Sequence, residues 1–269
     1  MTAAPQQRTW RLARCAAVGL FGMLALAGCG SGAAHTATAA TQASATTTTT
    51  TSTTSTTATR TAATPVTPAE PLSAAAHQVA AQLRGISQRG LVLGRSGASV
   101  TIIEYGDLVC GLCAAVHDSV LPTVIARYVR SGRATLELRP LAEGSASNAL
   151  ARAAYAAGVQ GRGWEFVQLS YRRSGLAGTV AEPREALARA LGLDLVRWRA
   201  DLGRASWKID IDGAHEVANV AGFSAYPVFL VTHTVRDIIK APAPYIVLTA
   251  PTSVGAFDRA IAKALARHG

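Results

Sequence analysis

Cys110 and Cys113 are the residues of this 269-residue chain best suited to chemistry. The C-x-x-C spacing lets two sulfurs close a small disulfide ring and part again as thiols. Val100 to Tyr105 is a β-branched run that predicts a buried strand, and helical periodicity begins just after it, so Cys110 falls at a helix N-terminus. Unpaired amides and the helix dipole there favour a negative charge and lower the thiol pKa. Cys113, one turn in, is expected to be shielded and to resolve a mixed disulfide. The spacing by itself also fits half of a zinc site or a structural bridge. Zinc needs two further ligands, and the other cysteines, Cys15 and Cys29, lie far up the chain. His117 shares a helix face with Cys113 and could complete a Cys₂His cluster, but an exposed surface histidine is the expectation. His77, His215, His233 and His268 form no ligand pattern, so neither a metal nor a cofactor is expected.

The elements that must position the cysteines can be read from residue 74 onward. A helix is predicted to about Gln88, then a short strand over Leu91–Leu93. After the strand that ends at Tyr105, a helix should run from Cys110 to about Arg130, kinked at Pro122. Thr135 to Arg139 alternates as a strand. A block of helices follows. Ser147 is placed to cap the first, which stops at Gly158, and Trp164 to Tyr171 forms the second. Pro183 opens the third, stopped by Gly192, and Asp194 caps the fourth. A further helix ends at Gly222. Val228–Thr232 and Tyr245–Thr249 read as strands, and a helix from about Ser253 closes the chain. This order predicts an α/β domain over 74–269, with a helical insertion at about 146–222.

The N-terminal part differs in kind. Arg8, Arg11 and Arg14 precede an uncharged stretch, Cys15 to Ala27, that is short for a bilayer span. It reads as a secretory signal over 1–28, and Leu26-Ala27-Gly28-Cys29 resembles the bacterial lipobox, which implies lipidation at Cys29. An uncleaved anchor running to about Ala34 is the alternative. Either places the domain outside the cytoplasm. Residues 29–73 are rich in Thr, Ala and Ser and poor in large apolar residues, so they cannot offset the entropy of folding. They read as a solvated spacer, and a candidate for O-glycosylation. The formal charge is +10, but no acidic residue precedes Glu70 and the basic residues beyond it are scattered among the acids. With no basic run and no aromatic-interleaved patch, nucleic acid is not an expected partner.

The segment VTIIEYGDLVCGLCAAVHDSVLPTVIARYVRSGRATLELRPLA is similar to the opening half of DsbA-like proteins. Shared features are the acid six residues before the first cysteine, Leu121-Pro122, Tyr128-Val129 with Gly132, and Arg139-Pro140. ALARAAYAAGVQGRGWEF resembles that group's insertion helices, and GFSAYPVFLV the stretch that carries its cis-proline. The resemblance spans about residues 85–235. It implies a thioredoxin-like fold with a helical insertion between a βαβ half and a ββα half, and it implies a protein disulfide oxidoreductase. By the same resemblance Cys110 is the nucleophile, Cys113 the resolving thiol, and Glu104 the buried carboxylate that moves a proton to or from Cys113. A carboxylate under an apolar sheet should have a raised pKa; an edge-facing, solvated acid is the alternative for Glu104. Gly111, Leu112, Tyr226 and the cis-proline match Pro227 would face an extended substrate paired like an added strand.

Three departures stand out. Gly111-Leu112 lacks the histidine of the strongly oxidising motif. Tyr226 is bulkier than the usual Thr or Val and is expected to narrow the groove. His233-Thr-Val-Arg236 replaces the usual glycine turn. The implied partners are cysteine-containing secreted proteins and a membrane redox partner, either a quinone-linked oxidase or an electron donor. The oxidising compartment favours the oxidase direction. A lipoprotein that handles copper through two thiolates and His117, or a redox-silent binding module, are the alternatives.

The lipobox reading has a direct check. Protein from the native host should partition into detergent and carry a lipid mass on Cys29, and Cys29→Ala should abolish both. Unmodified, freely soluble mature protein sinks the reading.

Overall fold

The computed structural model describes residues 71–174, 183–234 and 244–266. The stretch 1–28 read as a signal, nearly all of the stretch 29–73 read as a spacer, and with them Cys15 and Cys29, lie outside the described residues. So does the end of the His233–Arg236 departure.

The sheet is built around Val100–Gly106 (β3), six of whose seven residues are buried. Its neighbours are Ala134–Pro140 (β4), parallel to it, and Val228–His233 (β5), antiparallel. Outside these lie Val92–Leu93 (β2) with Gln88–Arg89 (β1), and Ile246–Thr249 (β6). The order is β1-β2-β4-β3-β5-β6. A centre strand buried on both faces needs apolar residues throughout, which explains why 100–105 reads as a continuous run.

Alternation divides the strand between two cores. Val100 and Ile102 join the larger one; Ile103 and Tyr105 join the smaller, with Leu141, Ala214, Ala218, Val228 and Leu230. Glu104 therefore points to the larger core. That side holds Leu72–Leu83 (α1), Gly111–Ser119 (α2), Leu121–Val124 (α3) and the closing helix Val254–Ala266 (α9). The predicted 110–130 helix is in fact three pieces. Pro122 has no N–H to continue the ladder, so α2 stops at Ser119, α3 follows, and Ile125–Val129 winds as a π-turn.

Between β4 and β5 stand Ser145–Val159 (α4), Gly163–Ser174 (α5), Arg184–Ala190 (α6), Leu195–Asp201 (α7) and Ala205–Val220 (α8). Asp194 caps α7 as predicted, accepting from the Val196 and Arg197 amides at 3.0 and 3.1 Å. Two expectations are corrected. Gly144 rather than Ser147 is the cap of α4, because Ser147 lies inside the first turn and gives its hydroxyl to Asp107. The first helix covers 72–83, not 74–88, since Gly85 at φ +77° turns the chain into β1.

The insertion is pinned to the sheet edge at α5. Trp164 donates its indole N–H to the Leu91 carbonyl at 2.8 Å and its amide to Gln88 at 3.1 Å. The approach is so close that a Cβ on Gly163 would stand 2.3 Å from the Gly90 carbonyl oxygen. Gly163→Ala should therefore cost at least about 1–3 kcal/mol in urea unfolding, the range for overpacking. Gly203→Ala meets open space and should stay within about 0.5 kcal/mol. Equal midpoints for the two variants overturn this account of the corner.

Candidate active site

Where β3 ends, the chain crosses Asp107 to Val109 and enters α2 at Cys110. Asp107 fixes this crossing. Its Oδ1 accepts from the Val109 amide at 2.9 Å and from the Ser147 hydroxyl, and its backbone carbonyl accepts from the Cys110 amide at 2.9 Å. Cys110 is the N-cap of α2: its sulfur accepts the Cys113 amide at 3.1 Å, where a Ser or Asp oxygen usually sits. Both cysteines are free thiols, Cys110 half-buried and Cys113 fully buried. Asp107 was not singled out from the sequence, and Ser147 only as a helix cap. The signal available was an acid in a Gly-Asp turn three residues before the motif.

The two thiols are electrically unlike. Cys110 is lowered from 9.0 to about 7 by the hydrogen bond from the Cys113 thiol, helped by the Cys113 and Leu112 amides against some burial. Cys113 is pushed far up by that same hydrogen bond, by burial, and by the charges of Cys110 and Glu104. The pair therefore holds one accessible thiolate and one protonated thiol, the asymmetry that sequential disulfide exchange requires.

Across from Cys110, the Tyr226–Pro227 peptide is cis, as the resemblance implies. The Tyr226 carbonyl lies 4.0 Å from the Cys110 sulfur, and the Tyr226 side chain is half-buried against both cores. Leu112, 60% exposed, turns its amide toward the Cys110 sulfur, which thus lies between the first turn of α2 and the Tyr226 carbonyl.

Glu104 is fully buried, which removes the solvated alternative. Its partner is a surprise. His117, expected on the surface, is 2% exposed and holds both carboxylate oxygens through Nε2, at 2.8 and 3.0 Å. The reason is visible in the spacing: four residues after buried Cys113, position 117 must face the sheet, and Glu104 waits there. Nε2 of His117 is thus taken by Glu104, and Nδ1 is its remaining ring nitrogen. Among the described residues no group of three or more His, Cys, Asp or Glu could hold a metal ion.

A family model described as thioredoxin matches residues 87–238. Among solved structures the chain is similar to α-DsbA1 of Wolbachia pipientis, with a TM-score of 0.55 and 17% identity over 69% of this chain and 96% of that one. It is similar as well to BdbD of Bacillus subtilis in its oxidised form, with a TM-score of 0.53 and 17% identity over 67% and 98%. Identities at this level speak for the fold. Among curated proteins, the Na(+)/H(+) antiporter NhaA 1 of Salinispora arenicola (strain CNS-205) is 34% identical over 144 residues. These are 50% of this chain and 21% of the antiporter, so the chain spans about a fifth of the length of that relative.

The thiol asymmetry fixes the sign of a pH effect. Between about 7 and 9.0 the folded dithiol form has released the Cys110 proton that the unfolded chain still holds. Its stability should rise with pH across this window and fall as pH drops through about 7. Above the window Cys113 acts oppositely, because only the unfolded chain can ionise it. Alkylation of the reduced protein should titrate Cys110 with a midpoint about 7 and leave Cys113 unmodified there. A faster Cys113, or a midpoint near 9.0, overturns the assignment of roles.

Proposed function

Because the chain belongs to the thioredoxin family, we propose that it exchanges disulfides in proteins outside the cytoplasm, with Cys110 as nucleophile and Cys113 as resolving thiol. One observation carries the reading: an N-cap thiol lowered to about 7 sits against a fully buried one beside a cis X-Pro carbonyl. In the reductase direction the Cys110 thiolate attacks a substrate disulfide. Cys113 then attacks Cys110, releasing the second substrate thiol and leaving the domain oxidised. In the oxidase direction, which an oxidising compartment favours, a substrate thiolate attacks Cys110 of the Cys110–Cys113 disulfide. A membrane partner, quinone-linked for the oxidase or an electron donor for the reductase, restores the starting state. Tyr226 and Pro227 offer backbone to an extended substrate strand, and Leu112 offers an apolar contact.

The lipobox-like segment supports attachment through Cys29 to the outer face of the membrane, with the spacer of 29–73 holding the domain away from it. Ion transport is not carried over from the antiporter, of which only a fifth is matched. Among the described residues no helix is long and apolar enough to cross a membrane.

Replacing the resolving thiol by Cys113→Ala should trap substrates as mixed disulfides on Cys110, and Cys110→Ala should trap almost none. Equal trapping by both variants overturns the proposal. The equilibrium potential then sets the direction. Gly111-Leu112 brings no charge to Cys110, so a value roughly between −270 and −120 mV is expected. A value at the reducing end rejects the oxidase direction and leaves a reductase.

A further inference from the structure

The exchange chemistry uses Cys110, Cys113 and Glu104, and leaves a group of buried polar atoms on the inner side of α2 without a role. Nδ1 of His117, the hydroxyl of Tyr171 and Nε2 of Gln168 are all buried with no hydrogen-bond partner among the described residues. Buried polar atoms are nearly always satisfied, and three orphans in one place point to water. All three residues line a single small cleft with Ala114, Asp118, Pro122 and Arg172. It has about 20 Å³ of room for a water, slightly more than the minimum one molecule needs. Asp118 is exposed and Arg172 reaches out to Gln78, so the cleft leads from the core to the surface.

Of the residues that line the cleft, His117 is the one hydrogen-bonded to Glu104. Nε2 of that ring is taken by the carboxylate, so Nδ1 is the nitrogen left to the cleft that the ring lines. The ring is held by Tyr171, at 4.0 Å between centroids, and by Trp164, stacked at 6.1 Å. The Tyr171 hydroxyl is close to the pair as well: a Cβ on Gly106 would meet it at 3.2 Å and Glu104 Oε1 at 2.9 Å. Burial pushes that hydroxyl well above its ordinary pKa, so it stays a fixed dipole and does not titrate.

Resting on the exchange reading above, we infer that His117 is the proton outlet of Glu104, connecting the carboxyl beneath Cys113 to water in the Gln168–Tyr171 cleft. In the resolving step the Cys113 sulfur forms its bond to Cys110 and the Cys110–substrate bond breaks. The electron pair leaves on the substrate thiolate, so the cysteine pair is oxidised and the substrate reduced. The Cys113 proton goes to the Glu104 carboxylate. His117, with Nε2 on that carboxylate, passes a proton from Nδ1 to the cleft water. One proton enters the Glu104–His117 pair as another leaves it, so no new charge is left in the core, where it would be expensive. Reduction of the domain's own disulfide runs the same transfers backwards. His117 touches no substrate and acts through Glu104. The groups facing it are Glu104 from β3, Cys113 and Asp118 from α2, and Tyr171 and Arg172 from α5.

The test is the rate at which Cys113 releases a model peptide thiol from its mixed disulfide with Cys110, measured in single turnover across pH. His117→Gln keeps a hydrogen bond within reach of Glu104 but cannot pass a proton. It should slow release roughly 100-fold at neutral pH, the lower end of what a positioned proton-transfer group is worth. Its Cys110 alkylation midpoint should stay near 7, which also reports that the site is folded. In His117→Ala, added imidazole should restore much of the lost rate. Release by His117→Gln at the wild-type rate and pH profile overturns the inference, as does a folded His117→Ala that imidazole does not accelerate. The wild type supplies a measurement that needs no variant: in H₂O–D₂O mixtures its release rate should curve, as two protons in flight require, and a straight line overturns the relay. If Cys113→Ala traps nothing on Cys110, the exchange reading itself falls. If trapping holds and release does not depend on His117, the relay alone falls.

Discussion

The Cys113 amide pointing at the Cys110 sulfur is one hydrogen bond of 3.1 Å, yet the site is organised around it. A helix begins with amides that have no partner in the helix, and most sequences supply an oxygen to cap them. Here the cap is a sulfur, so the helix start is best satisfied when that sulfur carries a negative charge. Helix formation and thiolate formation therefore favour each other. That coupling is useful only if the first turn of α2 is held where substrates can reach it, which is the task of the surrounding structure. The centre strand delivers the chain to this point, and Asp107 ties both sides of the crossing through Val109 and Cys110. The Tyr226 carbonyl faces the sulfur from the bend that leads into β5, the strand antiparallel to β3.

The same interaction makes the two cysteines unequal. Whatever stabilises negative sulfur at Cys110 comes partly from Cys113, through its amide and its thiol, so lowering one pKa raises the other. Burial widens the gap, because Cys113 lies wholly within the larger core while Cys110 reaches the surface. A protonated resolving thiol is inert until its proton has somewhere to go. Glu104 stands in an apolar layer, at a position where β3 would otherwise carry another Ile or Val, and under the proposed exchange it is the group set to take that proton. A lone carboxylate there would be costly to bury, and His117 offsets that by engaging both its oxygens.

How much of this could be read in the sequence depended on the range of the forces involved. Local signals transferred well. The β-branched run became β3, Pro122 broke the helix, and Asp194 capped α7 with two amides. Cys110 and Cys113 were legible because strand, motif and helix start are contiguous. Ser147 was misread because its partner, Asp107, is 40 residues away, and a serine near a helix start has the same local signature whether it caps the helix or reaches outward. His117 was misread although its position was informative. The i, i+4 spacing from Cys113 put it on the buried face, and a histidine forced into a core needs a polar partner. The acid on β3 six residues before the motif was available for that role. The helix and strand periods, taken together, contained the pair.

The insertion shows why such pairs escape a reading element by element. On the sequence it is a block of helices between two halves of a sheet, and it could be taken for an addition remote from the chemistry. In the fold, α5 is buried along nearly its whole length and closes the inner side of α2. Trp164 anchors it to the Leu91 carbonyl at the sheet edge, and Tyr171 lies against His117. This helix covers His117 directly through Trp164 and Tyr171. The burial it contributes to helps to keep Cys113 protonated, beside the larger effect of the hydrogen bond with Cys110. The contrast between the cysteines is thus imposed from two directions: the start of α2 acts on Cys110, and the insertion, by excluding solvent, acts on Cys113.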